Sequence, residues 1–237
     1  MKKNTMMKYV DMLKYKRLLK MQNDDTKEFF NVDGCGLEIE FGVDYEKRCR
    51  HYIENGLKML KSAVGSSGKF VPDMTIGHDL NVEIVLNPFE KDDLKDLFAT
   101  IKEIILYYEN FVFDENCGVH ANFRADDDLK RLFYESLADG GYDSSRFIHS
   151  KYKTDFLNIV MRDNDLRLSY DEYIEYQLSV SGKYAGINFL KENLVEFRTL
   201  DLNWDDIEYV IDVYEDARHS YLREMETNGV AVGSMAQ

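Results

Sequence analysis

Residues 36–41 read GLEIEF. Leu37, Ile39 and Phe41 alternate with Glu38 and Glu40, so the stretch is predicted to be a β-strand with one apolar and one acidic face. Same-face neighbours in a strand stand only about 6–7 Å apart. Two carboxylates that close repel. The arrangement requires water, cations or a chemical task.

Three further segments repeat the pattern. In NVEIVLN, 81–87, Asn81, Glu83 and Asn87 oppose Val82, Ile84 and Leu86. In GVHANF, 118–123, His120 and Asn122, with Arg124 just beyond, oppose Val119, Ala121 and Phe123. In NLVEFRTL, 193–200, Glu196 and Arg198 oppose Val195 and Phe197. The apolar faces can pack under helices while the four polar faces line one surface of a single sheet. An antiparallel sheet often keeps one face in water, and for any one strand alone that accounts for the polar residues. Glu is a poor strand former, however, and these faces carry Glu, His, Arg and Asn but no Lys. Carboxylate oxygens suit Mg²⁺ or Mn²⁺, His is acceptable to Mn²⁺, and zinc would call for Cys. At an intermediate dielectric, like charges ~4 Å apart repel by about 4 kcal/mol, so converging carboxylates need neutralising cations. A pair of divalent ions matches this ligand set and is a recurrent device in phosphoryl chemistry.

The helices lie between the strands. Residues 45–64 are predicted helical, with Cys49, Tyr52, Ile53, Leu57, Leu60 and Val64 on one side. The strongest helical spacing covers 91–112, through Leu94, Leu97, Phe98, Ile101, Ile104, Ile105, Tyr108 and Phe111. A short helix follows at 128–138. Residues 139–168 are irregular and read as a flap or substrate-recognition segment. Ser169 to Glu172 has the form of a capping box and starts a helix to about Ser179. Asn203 is placed to cap a last helix, about 205–224. The chain therefore divides into an N-terminal helical arm (1–31), one α+β domain (32–225) and a small polar tail (226–237). The arm has a thin apolar stripe of Met6, Val10, Leu13 and Met21, and is a candidate for docking on the domain or for assembly into a homo-oligomer.

The 237 residues carry a net charge of −14, which argues against a nucleic-acid partner. No signal peptide or membrane-spanning run is legible. The three cysteines form no CxxC, and their odd number favours a reducing, cytoplasmic setting. GSSGK, 65–69, fails the phosphate-loop spacing and reads as a turn. His51, His78, His149 and His219 read as surface residues. Cys35 and Cys117 read as buried thiols, and the tyrosines mostly as core.

Taken together, G-x-E-x-E on the first strand, Glu83 on the second, C-G-x-H (117–120) on the third and V-E-F-R (195–198) on the last resemble the amidoligase family. That family belongs to the carboxylate–amine ligase superfamily, with glutamine synthetase and glutamate–cysteine ligase. The match covers about residues 34–202. Each motif alone is weak, and their order on successive strands makes the signal specific. The resemblance implies a curved antiparallel sheet of the glutamine synthetase catalytic type, with helices on its outer face. It implies an ATP-dependent ligase that joins a small-molecule or peptide carboxylate to an amine through an acyl phosphate. Mg²⁺ or Mn²⁺ would be held by Glu38, Glu40, Glu83, His120 and Glu196. Arg198 would contact the transferring phosphoryl group, Asp73 would serve as base or cation binder, and Asn122, Asn188 and Lys183 would contact substrate or nucleotide. Asn122 stands where the family often has a second His, and Thr75 where a Ser is common. Two alternatives stay open: a phosphotransferase like the guanidino kinases, and a non-enzymatic interaction protein that keeps the fold.

Overall fold

A computed structural model describes residues 2–20, 34–45, 50–73, 77–139, 168–181 and 186–227. Its elements are α1 (Lys2–Leu19), β1 (Cys35–Val43), α2 (Arg50–Val64), β2 (Gly68–Pro72), β3 (Leu80–Leu86), α3 (Lys91–Tyr107) and β4 (Phe111–Val112). They continue with β5 (Val119–Arg124), α4 (Asp127–Asp139), α5 (Tyr170–Tyr176), a π-helical turn (Gln177–Ser181), β6 (Ile187–Asn188), β7 (Leu194–Leu200) and α6 (Trp204–Thr227). The architecture is α+β. The strands form one open antiparallel sheet in the order β2-β3-β1-β5-β7-β6, with β4 pairing the far end of β1.

The alternation seen in the sequence sets the register. Glu38 lies opposite His120, Glu40 opposite Glu83, and Glu196 opposite both Asn122 and Asn188. Directly paired residues point to the same face, so the polar positions of the strands share one side. The other side buries Leu37, Ile39, Phe41, Val82, Ile84, Val119, Ala121, Phe123, Val195 and Phe197 in a core with Ile53, Leu57, Phe98, Ile101, Phe133 and Val210 from the helices. On the polar side, Val71, Val85 and Leu194 form a small apolar cluster. These residues come from β2, β3 and β7, and β7 is not hydrogen-bonded to either of the others. That is the contact a sheet makes when it curls towards its polar face.

Three expectations are corrected. The turn read over GSSGK, 65–69, ends at Ser67, and Gly68–Pro72, not expected as a strand, joins β3 at the sheet edge. An edge position tolerates Pro72, which cannot donate to a ladder. The helix predicted to run to 112 stops at Tyr107, where Tyr108 becomes extended. Beyond it, Asn110 exchanges backbone and side-chain hydrogen bonds with Asp44, and Phe111–Val112 pairs with β1. Tertiary pairing thus overrides a helical spacing that still looked regular. The arm buries a different stripe from the one expected. Val10 and Leu13 are exposed, while Tyr15, Leu19 and Asp11 face inward. The arm docks on α2 through Arg50 to Asp11 at 2.8 Å, Lys14 to Glu54, and Lys61 Nζ to the Leu18 carbonyl. Met21, Cys49, His149 and the 140–167 segment lie outside the described residues, as does most of the tail.

Candidate functional site

The centre of the polar face is shut off from solvent. Glu38, Glu83, His120, Asn122, Asn188 and Glu196 are all buried, Glu38 and Glu196 with 1% exposure each. Buried carboxylates cost several kcal/mol each unless paired. This burial separates the acidic face from an ordinary wet sheet surface.

His120 is central. Its Nδ1 lies 3.1 Å from Glu38 Oε2 and 3.7 Å from Glu196 Oε1, and its Nε2 lies 3.6 Å from Glu40 Oε1. The adjacent strands β1, β5 and β7 deliver these groups, so backbone pairing rather than flexible loops fixes their spacing. Ligand atoms of Glu38, His120 and Glu196 all lie within 4.8 Å of one another. Two carboxylates and an imidazole form a hard-to-borderline donor set that fits Mn²⁺ well and Mg²⁺ with a water-completed shell.

The surrounding side chains hold the carboxylates in place. Asn122 Nδ2 donates to Glu38 Oε1 at 3.2 Å, and its Oδ1 is buried without a hydrogen-bond partner among the described residues. That orphaned acceptor is a further point of attachment for a cation or a ligand donor. Asn188 Nδ2 donates to Glu196 Oε2 at 3.3 Å. Lys191 Nζ and Arg198 Nη1 reach the same oxygen at 2.9 and 3.2 Å. Gln177, at the start of the π-helical turn, donates to the Ile187 carbonyl and accepts from the Phe189 N–H, which brackets Asn188. π turns inserted in helices often mark functional positions.

The electrostatics follow from this packing. Burial tends to pull the His120 pKa down, but Glu40 and the hydrogen bond to Glu38 outweigh it and leave the imidazole more basic than usual. Burial, the largest influence, raises the Glu40 pKa, and the adjacent Asp73 carboxyl adds to the effect against the pull of His120 and Arg198. For Glu196, burial and Glu38 push upward, but Arg198, His120 and Lys191 together hold the carboxyl below its ordinary value. The cluster holds more carboxyl groups than cations. A divalent ion would relieve that excess and displace the His120 proton.

Of the residues read from the sequence, Glu38, Glu40, His120, Asn122, Asn188, Glu196, Arg198 and Asp73 are brought together, and Glu83 stands opposite Glu40. Lys183 lies outside the described residues. Lys191 and Gln177 were missed. Both lie off the alternating strand positions, and only the turn before β7 and the π turn bring them to the site. His51 and His219 are exposed, as expected. His78 is not a surface residue: its side chain is only 14% exposed and stands between Asp44 and Asp114. Cys35 and Cys117 are buried, and burial pushes both thiols up, Cys117 to about 12. No family model matches the chain, and a search of curated proteins also found no match.

Proposed function

We propose that the protein is an ATP-dependent carboxylate–amine ligase. The observation that carries this reading is the buried Glu38–His120–Glu196 cluster with Arg198 and Asn188 against it. A wet or retired sheet face has no reason to keep so costly a set of groups out of solvent. In this reading the sheet has the curved glutamine synthetase form, with the polar face as its groove. Mg²⁺ or Mn²⁺ would be held by Glu38, His120 and Glu196, and a second ion by Glu40 and Glu83. Bound metal and ATP would supply charge neutralisation and an activated phosphoryl group. The substrate carboxylate oxygen bonds to the γ-phosphorus as the bond to ADP breaks, and the amine nitrogen then displaces phosphate to leave the amide. Arg198 offers the positive charge that stabilises the phosphoryl oxygens, an electrostatic and positional role. Asn122, Asn188 and Lys191 orient the carboxylates. Asp73, beside Glu40, would take up the proton of the attacking amine.

The test is calorimetric titration of a non-hydrolysable ATP analogue into the full chain, with Mn²⁺ or Mg²⁺ and then with chelator. Metal-dependent binding that Arg198→Ala weakens at least tenfold supports the reading and justifies screening acid–amine pairs for phosphate release. No metal-dependent nucleotide binding by the wild type overturns it.

A further inference from the structure

A second cluster surrounds Gly42, two residues beyond Glu40 on the same strand face. Gly42 has no side chain because the His78 ring fills the space: a Cβ there would stand 2.1 Å from His78 Cδ2. His78 is held through both its ring and its backbone. Its Nδ1 lies 3.0 Å from Asp44 Oδ1, and the His78 backbone N–H donates to Asn81 Oδ1 at 2.8 Å. Nε2 is shut off from solvent and makes no hydrogen bond among the described residues, although Asp114 Oδ2 lies 3.2 Å away. Beside it, Cys117 Sγ lies 3.7 Å from Asp114 Oδ1. One ligand atom each from His78, Asp114 and Cys117 falls within 4.8 Å of the other two.

We infer that His78, Asp114 and Cys117 form a second divalent-metal site, suited to zinc rather than magnesium. The donor set of imidazole nitrogen, thiolate sulfur and carboxylate oxygen is the one Zn²⁺ takes. Asp114-x-x-Cys117 presents two ligands from one turn, and His78 supplies the third from the turn before β3. Asp44 on Nδ1 fixes the ring and leaves Nε2 as the ligating atom, the carboxylate–histidine–metal arrangement of known zinc sites. Asp114 retains 36% side-chain exposure, which leaves an approach for the ion and a fourth position for water. The contact with Asp44 accounts for Nδ1 and leaves Nε2, beside Asp114 and without a hydrogen bond among the described residues, as the ring atom still to be satisfied. Bound zinc would pin the turn at 77–79 to the loop that leads into the His120 strand. This inference does not rest on the ligase reading.

The test uses the reduced, metal-stripped full chain titrated with Co²⁺. The expected spectrum has a near-ultraviolet thiolate-to-cobalt charge-transfer band and intense visible bands of a four-coordinate ion. Both vanish in Cys117→Ser and persist in the Glu38→Gln/Glu196→Gln variant, which separates this site from the carboxylate–histidine one. Zinc affinity, measured against a chromophoric chelator, falls about 10–100-fold in Asp44→Asn. If Cys117→Ser fails to fold by circular dichroism, His78→Gln and Asp114→Asn are expected to lose or strongly weaken the same bands. Absence of the charge-transfer band in folded wild type, or its persistence in the folded Cys117, His78 and Asp114 variants, overturns the site.

Discussion

Glu38 and His120 face each other on adjacent antiparallel strands, their Oε2 and Nδ1 3.1 Å apart, and both are buried. A buried acid–imidazole pair beside a further buried glutamate is stable only if charge is balanced. Against the downward pull of burial, Glu40 and the hydrogen bond to Glu38 hold the His120 pKa above its ordinary value, and a divalent ion held here would balance the same carboxylates.

It follows that Mn²⁺ should stabilise the fold. A ligand that binds only the native state at about 100 times its Kd adds about 2.7 kcal/mol. Differential scanning calorimetry should show a higher Tm with Mn²⁺ for the wild type and a much smaller rise for Glu38→Gln/Glu196→Gln. Equal shifts in both proteins would show that the ion binds elsewhere.

The apolar face of the sheet yields a simpler expectation. Phe123 on β5 stacks on Tyr214 of α6 with ring centroids 4.5 Å apart, and meets Phe133 of α4 at 6.0 Å. It therefore ties two helices to the central sheet. Phe123→Ala should cost about 3–5 kcal/mol through lost burial and the cavity left behind. Urea denaturation with an unchanged m-value would measure this, and a loss under about 1 kcal/mol would show that α4 and α6 can collapse into the gap.

These consequences also mark how far the sequence could be read. The strands with alternating glutamates were legible because period-two patterning fixes both the strand and its face, and the shared face follows once each apolar side must be buried. The small elements were not legible. Phe111–Val112 continues the helical spacing of α3, and only its pairing to β1 makes it a strand. In α1 the exposed Val10 and Leu13 outweighed the inward Tyr15 and Asp11 in a hydrophobicity count, because the docking surface is partly ionic. Lys191 and Gln177 reach Glu196 and Asn188 only through tertiary placement. His78 and Cys117, 39 positions apart by the numbering, show no local motif that links them.

The cap of α5 predicts a pH dependence. Ser169 accepts from the Glu172 N–H, while the Glu172 carboxylate accepts from the Ser169 backbone N–H at 2.7 Å and from its hydroxyl at 2.8 Å. The backbone bond first, and then the hydroxyl, hold the Glu172 pKa below its ordinary value. A carboxyl whose pKa is depressed on folding stabilises the fold above its unfolded pKa, about 4.3, and loses that contribution as pH falls through the folded value. The stability difference between wild type and Glu172→Gln should therefore be present at neutral pH and shrink below about 4.3. Denaturant titrations across that range would reveal it, and a difference independent of pH would show that the carboxylate is not ionised in the cap. Ser169→Ala should cost about 1 kcal/mol at neutral pH.

Gly42 provides the most local test of the packing around His78. Its backbone pairs with Asn81 and with Val112, so the strand cannot easily move away from an added methyl group. Gly42→Ala would drive a Cβ into the imidazole ring, and overpacking of this kind costs about 1–3 kcal/mol. Removal of the ring should relieve the clash. In the background of His78→Ala, the same Gly42→Ala change should cost far less, so the two substitutions together fall well short of their sum. Such coupling is expected only between residues in contact. A double-mutant cycle by urea denaturation in the presence of chelator isolates this steric relationship from any bound ion. Strict additivity would mean that the ring does not occupy the space over Gly42.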